Sequence, residues 1–266
     1  MSRADFPVRK VIALTVDLAK RDITSRYRGS VIGMSWSFLT PMLMLAVYTF
    51  VFGVIFQSRW PSVGGQSTTD FALVLFAGLI VFGLVAETLQ RAPSVIVGQP
   101  QYVKKMVFPL GVLPAAMVLG ALFHSLVSVV VLLLATLLVK GTVPITAAWF
   151  PVVLGPVILA CLGLGWALAA TGVYMRDMAH VMPMVATIML FLSPIFYPLE
   201  AIPEGVRGLV ALNPLGGPVD QARRVLLFAQ QPDWRLLGWQ WATGLGFAVL
   251  GHVWFRFLRR RFADVL

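Results

Sequence analysis

The sequence predicts an all-α membrane protein with six transmembrane helices and an N-terminal amphipathic interface helix. Three observations carry this. Of 266 residues, 59% are hydrophobic and only 12% charged, against about 25% charged in an ordinary soluble domain. Apolar runs without charge recur at the roughly 20 residues that a helix needs to cross a bilayer. The Lys and Arg behind the net charge of +10 gather in alternate loops, as they do beside a membrane. A water-soluble globule is excluded. So is a nucleic-acid binder, since there is little polar surface on which to build a basic stripe. The single cysteine, Cys161, lies inside an apolar run and permits neither a disulfide framework nor a multi-cysteine metal site.

Residues 1–35 read as a cytoplasmic interface segment. Charges recur through Arg28 and no apolar core precedes a cleavage site, so a signal peptide is not expected. Asp5 before Phe6-Pro7 is placed to cap a helix. At 100° per residue, Val8, Val11, Ile12, Leu18 and Ala19 share one arc, and Arg9, Lys10, Asp17, Lys20 and Arg21 share the other. Such a helix lies along the headgroups or packs on another subunit.

Residues 36–266 form one transmembrane domain. Its apolar runs are Trp36–Phe56, Phe71–Ala86, Met106–Val139, Gly141–Met175, Met178–Leu199 and Leu236–Phe255. The third and fourth are longer than a span requires. Pro109, Gly111 and Pro114 open one, and Pro144 and Pro151 the other, so both are expected to begin as interfacial segments. Six spans put both termini on one side. That side carries fifteen Lys and Arg against six on the other, which predicts cytoplasmic termini.

Enzymatic signatures are sparse. No G-x-x-x-x-G-K-[ST] phosphate loop and no G-x-S-x-G elbow occurs. His124, His180 and His252 stand far apart in sequence and outside any metal-binding pattern. No catalytic residue and no metal ligand is therefore assigned. Glu87 is the one acid carried toward the membrane interior. It reads either as an ion-coupling site or as the partner of Arg91, four residues on.

The order of motifs resembles the permeases of polysaccharide ABC exporters. Arg21 to Ser30 reads RDITSRYRGS and continues through Gly33, Trp36 and Pro41 to Tyr48-Thr49-Phe50-Val51-Phe52. Then come Gly78-Leu79 before Glu87, Val103-Lys104-Lys105 with Phe108-Pro109, Arg176-Asp177, Ser193 to Pro198 (SPIFYP), Asn213-Pro214 with Arg223, and Arg261 to Leu266. The resemblance covers nearly the whole chain.

It implies a homodimer paired with two copies of a separate ATP-binding subunit, moving a lipid-linked polysaccharide through a bacterial inner membrane. No cofactor is expected in this chain, since ATP and Mg would sit on the partner. The loop over about 91–110 becomes the coupling segment, with Gln101, Tyr102, Lys104, Lys105, Phe108 and Pro109 at the ATPase interface. Residues 200–235 become two short re-entrant helices gating the external mouth, with Asn213, Pro214, Arg223 and Arg224 as gate residues. Spans one and five would line the channel. Aromatic rings suit a conduit for sugars, which offer hydroxyls and flat C–H faces. Tyr48, Phe52 and Phe56 share a face of span one, and Phe191, Phe196 and Tyr197 cluster in span five. The competing reading for these rings is an interfacial aromatic belt. Competing functions are an ABC permease for a drug or small lipid, and a membrane-embedded glycosyl- or acyltransferase.

Overall fold

A computed structural model describes residues 7–56, 68–104, 108–197, 205 and 213–264. Every regular element among them is helical. Helix α1 (Val8–Arg26) begins after Pro7, whose missing N–H costs nothing at a helix start; the expected cap, Asp5, lies outside the described residues. Gly29 and Gly33 take positive φ values of 85° and 58°, a conformation open mainly to glycine. They turn the chain into α2 (Trp36–Tyr48), which runs on through a widened turn, Thr49–Ile55. There the Phe56 N–H donates to Val51 O at 2.9 Å, five residues back.

Helix α3 (Thr68–Arg91) is the centre of the molecule. Val74, Leu75 and Ala77 are fully buried, and α3 touches α2, α5 (Val112–Lys140), α6 (Phe150–Tyr174), α7 (Met178–Leu192) and α8 (Gly216–Leu226). A short helix, α4 (Pro100–Lys104), lies between α3 and α5. The last helix, α9 (Trp234–Leu258), is capped by Asp233, whose side chain accepts from Leu236 N at 3.0 Å. Helix α9 packs on α6 at backbone distance: a Cβ on Gly163 would run into the Phe247 carbonyl, and one on Gly251 into the Gly163 carbonyl. Small residues let helices approach this closely where lipid supplies no hydrophobic drive between them.

Two ionic clusters bracket the apolar region. Asp70 pairs with Lys140 at 3.3 Å at one end, and Glu87 with Arg91 at 3.0 Å toward the other. The seventeen residues from Asp70 to Glu87 rise about 26 Å, close to the roughly 30 Å hydrocarbon thickness. Beyond Glu87 lies a second apolar core, where Ile96, Leu110, Leu113, Val173, Phe255 and Phe262 come together.

Among the described residues, four helices are long and apolar enough to span: Gly33–Ile55, Asp70–Ser94, Val112–Lys140 and Ile145–Tyr174. The expected lead-in to the fourth is a short 3-10 turn, Ile145–Trp149, with Pro151 in the first turn of α6. The fifth and sixth runs depart from expectation. Helix α7 is only 15 residues, about 22 Å. It stops because Ser193, ahead of Pro194, is extended at φ −84° and ψ 144°. Helix α9 has the length, at 25 residues, but Gln240, Thr243 and His252 dilute its apolar character. Within residues 200–235, expected to form two short re-entrant helices, α8 is a short helix, and of residues 200–212 only Gly205 is described.

The α1 faces also differ from the arc drawn by periodicity. Val8 and Ile12 are exposed, whereas Leu18, Ala19 and the acid Asp22 turn inward. A Cβ on Gly120 of α5 would meet Asp22 Oδ2 at 2.8 Å, so the docking face of α1 includes a charge.

Candidate functional site

The charge on that face has partners. Arg91 Nη2 donates to Asp22 Oδ1 at 2.6 Å and its Nη1 to Glu87 Oε1 at 3.0 Å. Arg26 Nη2 donates to Glu87 and, at 3.4 Å, to Asp22. Two acids and two guanidiniums thus join α1 to the end of α3. Burial alone would raise the pKa of Asp22; hydrogen bonding and charge from Arg91, then Arg26, outweigh it and hold the carboxyl below its usual range. Glu87 is paired with Arg91 as the i,i+4 spacing suggested. Sequence reasoning missed Arg26 as a further partner of Glu87 and Asp22 as a further partner of Arg91, the only local signal being the i,i+4 spacing of Asp22 and Arg26.

Beside this network opens a cavity of about 490 Å³ between α1, α2, α3, α5 and Leu190 of α7. Arg26, Tyr27, Trp36 and His124 stand at one end, and Tyr48, Phe76 and Leu79 line the body. Tyr48 is half-buried there.

The other expected conduit rings form a separate cluster. Phe52 lies 6.1 Å from Phe196, 5.7 Å from Phe56 and 5.5 Å from Phe71, and Phe196 stacks on Phe191 at 5.9 Å. Tyr197 OH donates to Phe191 O at 2.9 Å. The end of α2 and the end of α7 therefore meet through aromatic faces, and Phe71 of α3, which the sequence did not single out, joins them. Phe191 is 63% exposed.

Arg223 is a different matter from a gate facing a mouth. It is 4% exposed, and its guanidinium donates to Val74 O at 3.0 Å, Pro194 O at 2.7 Å and Ile195 O at 2.8 Å. Gly78 makes the room, since a Cβ there would come within 3.0 Å of Nη2. One buried side chain so ties α8 to α3 and to the backbone released where α7 ends. Asn213 helps by donating to Ser193 Oγ at 3.0 Å and accepting from Leu215 N at 2.9 Å across Pro214. Arg224 is partly exposed, with Nε buried and unpaired.

In the segment expected to couple to an ATPase, Tyr102 stacks on Phe108 at 4.5 Å and accepts from Arg21 Nη2 at 3.0 Å. Both rings, with Pro109, are half-buried against the second core, and Gln101 is exposed. Lys105 and the side chain of Lys104 lie outside the described residues.

Comparison with known proteins agrees with this architecture. A family profile described as "ABC-2 type transporter" matches residues 14–227. The O-antigen export system permease protein RfbA of Myxococcus xanthus is 29% identical over 222 residues, 83% of this chain and 82% of that protein. An RfbA of Klebsiella pneumoniae is 25% identical over 256 residues, 95% of each. The polysialic acid transport protein KpsM of Escherichia coli is 26% identical over 233 residues, 85% of each.

Proposed function

The chain belongs to the ABC-2 type transporter family, and we propose that it is the permease subunit of an exporter carrying a lipid-linked envelope polysaccharide, O-antigen above all, across the bacterial inner membrane. The observation that carries the substrate class is that relatives from three organisms, matched over most of their length, are all named for export or transport of a polysaccharide.

Energy comes from a separate ATP-binding subunit, which holds ATP and Mg; two copies of it pair with a homodimer of this chain. Six spans carry the fold, with α7 and its extended continuation as the fifth, α9 as the sixth and α8 as the re-entrant element. Both termini face the cytoplasm, a reading supported by the fifteen-to-six division of Lys and Arg. The ATPase docks on α4 and α1 and engages Gln101, Lys104 and Lys105, with the half-buried Tyr102, Phe108 and Pro109 beside them.

Motion passes inward along the contacts already described. Displacement of α1 pulls on α3 through Asp22, Arg26, Glu87 and Arg91, and α3 pulls on residues 194–195 through Arg223. The rings at that point, Phe52, Phe191, Phe196 and Tyr197, together with Tyr48 deeper in span one, line the conduit. Uncharged rings stack on sugar faces weakly enough for repeated release, whereas charges would hold polar cargo. Asn213, Pro214 and Arg224 flank the external opening, and Arg223 holds it together from within.

Deleting the gene should leave polymer inside the cell and none on its surface, and this chain should restore export. Normal surface polymer in the deletion strain would refute the reading. With Lys104 and Lys105 both replaced by Glu, complementation should fail or ATP hydrolysis should run without export, because an inverted charge repels a complementary surface.

A further inference from the structure

The motif that begins at Arg261 and the arginines ahead of it have no part in the mechanism described so far. Past α9 the chain does not trail away. A 3-10 turn, Arg259–Asp264, closes against the second apolar core. Phe262 is 1% exposed there, edge-on to Phe255 at 5.8 Å and tilted against Tyr174 at 6.1 Å. Tyr174, the last residue of α6, also donates from its hydroxyl to Leu258 O at 2.9 Å. The turn is thus held by a hydrogen bond just before it and by a buried ring within it.

Between those anchors stand Arg259, Arg260 and Arg261, all exposed. Among the described residues none of the three forms an ion pair. Orienting a chain in a membrane asks only that cations stay on one side; it does not ask that packing hold them in place. Nor does the turn lie along the lipid face of α9. The exposed rings that mark that face, Trp254 and Phe257, precede it, whereas the turn passes the end of α6 and touches α4. Tyr102 and Val103 of α4 pack on the same core as Phe262, and Gln101 beside them is exposed. One packed base therefore carries α4 and three guanidiniums side by side. A guanidinium is always charged, and its planar fork meets a carboxylate through two parallel N–H bonds.

We infer that the Arg259–Arg261 turn extends the docking surface at α4 and takes a cluster of carboxylates on the ATP-binding subunit. The inference rests on the docking at α4 proposed above and adds a C-terminal element to it. Its role is to set the register of that subunit on α4, since Tyr102 and Phe262 tie α4 and the turn to one core.

The test uses the purified full-length chain and its ATP-binding subunit, mixed in neutral detergent at low salt so that no lipid headgroup is present, with Kd read by sedimentation. Arg259→Glu, Arg260→Glu and Arg261→Glu together should weaken association about a hundredfold, because reversed charges repel a complementary surface. The Tm of the chain alone should not move, the three side chains being exposed. Arg259→Lys, Arg260→Lys and Arg261→Lys together keep the charge and supply amines. A carbodiimide, which joins an amine to a carboxylate without a spacer, should then link residues 259–261 to Asp or Glu of the ATP-binding subunit, located by peptide mass spectrometry. Association untouched by the Glu variant, or links from 259–261 that are absent or confined to this chain, would overturn the proposal. An effect of the Glu variant that appears in phosphatidylglycerol nanodiscs and not in detergent would assign the arginines to headgroups and overturn it as well. Lys104 and Lys105 report on α4 in the same sample: links there without any from the turn reject this inference and leave docking at α4 standing, and links from neither reject both.

Discussion

Two spans of almost the same composition lead opposite lives. Gly33–Ile55 has a mean hydropathy of 2.1 and Asp70–Ser94 of 2.3, yet 11% of the first is buried in this chain and 78% of the second. Hydropathy sets the medium a helix can occupy and says nothing of its neighbours. Neighbours are chosen by shape and by isolated polar contacts. On α3, Ala72 and Ala77 are buried, Gly78 admits Arg223, and Glu87 recruits α1. On α2 and its continuation, Met42, Leu43, Val47, Phe50 and Val54 are exposed. The two spans are thus held differently: α3 is enclosed by this chain, whereas α2 presents most of its apolar surface outside it.

That contrast breaks most readily at Arg223. Arg223→Met leaves the Pro194 and Ile195 carbonyls without their donor and removes the second bond to Val74 O, whose helical bond remains, and unsatisfied polar groups cost about 1–3 kcal/mol each. A loss of roughly 4 kcal/mol of stability is expected, seen as a collapse of the denaturation midpoint or of folded yield. A near-neutral result would mean that α3 is not the hub described. Next comes a matched pair of truncations. Leu75→Ala in α3 should cost about 3 kcal/mol through the cavity it leaves, and Val47→Ala in α2 should stay within about 0.5 kcal/mol; equal effects would erase the distinction between the spans.

Function should show the reverse order. Tyr48→Ala and Phe191→Ala should lower polymer export about tenfold, the effect of losing one aromatic contact of roughly 1.4 kcal/mol, while assembly and basal ATP hydrolysis persist. Normal export by both variants would remove these rings from the conduit.

The smallest effect concerns the joint between α1 and α3. The Asp22 carboxyl titrates below its usual range in the folded chain, so its contribution is complete above the unfolded pKa and is lost as pH falls through the folded value. Disulfide trapping of α1 against α5 should thus weaken only in acid below the ordinary aspartate range. Asp22→Asn should remove that acid limb and about 1 kcal/mol at neutral pH. An acid limb that survives in Asp22→Asn would move the titration to another group.

Much of this was legible in advance, and the exceptions share a cause. Apolar run length located the four long spans, and the prolines at 144 and 151 located the turn ahead of α6. Glu87 and Arg91 were readable as a pair because helical spacing brings them together. Asp22 and Arg26 pair with groups 61 to 69 residues away, and no periodicity encodes such a distance. Arg223 was assigned to the external gate by resemblance alone, which carries no information on its burial. Its burial depends on carbonyls of Val74, Pro194 and Ile195 that become available only once α7 has ended. The early stop of α7 did have a signal, the residue before Pro194, which the length of the apolar run masked. Phe71 entered the aromatic cluster unannounced, since its own helix gives it no aromatic neighbour at helical spacing.

The central claim is that this chain is the passage and a separate subunit the motor. Its most direct test is reconstitution of the purified chain and its ATP-binding partner into liposomes with lipid-linked polysaccharide on the outer face, followed by protection of the polymer from an added glycosidase. ATP should drive the polymer into the protected interior only when both subunits are present, and this chain alone should hydrolyse no ATP. Protection that proceeds without the partner, or sugar or acyl transfer catalysed by the chain alone, would contradict it.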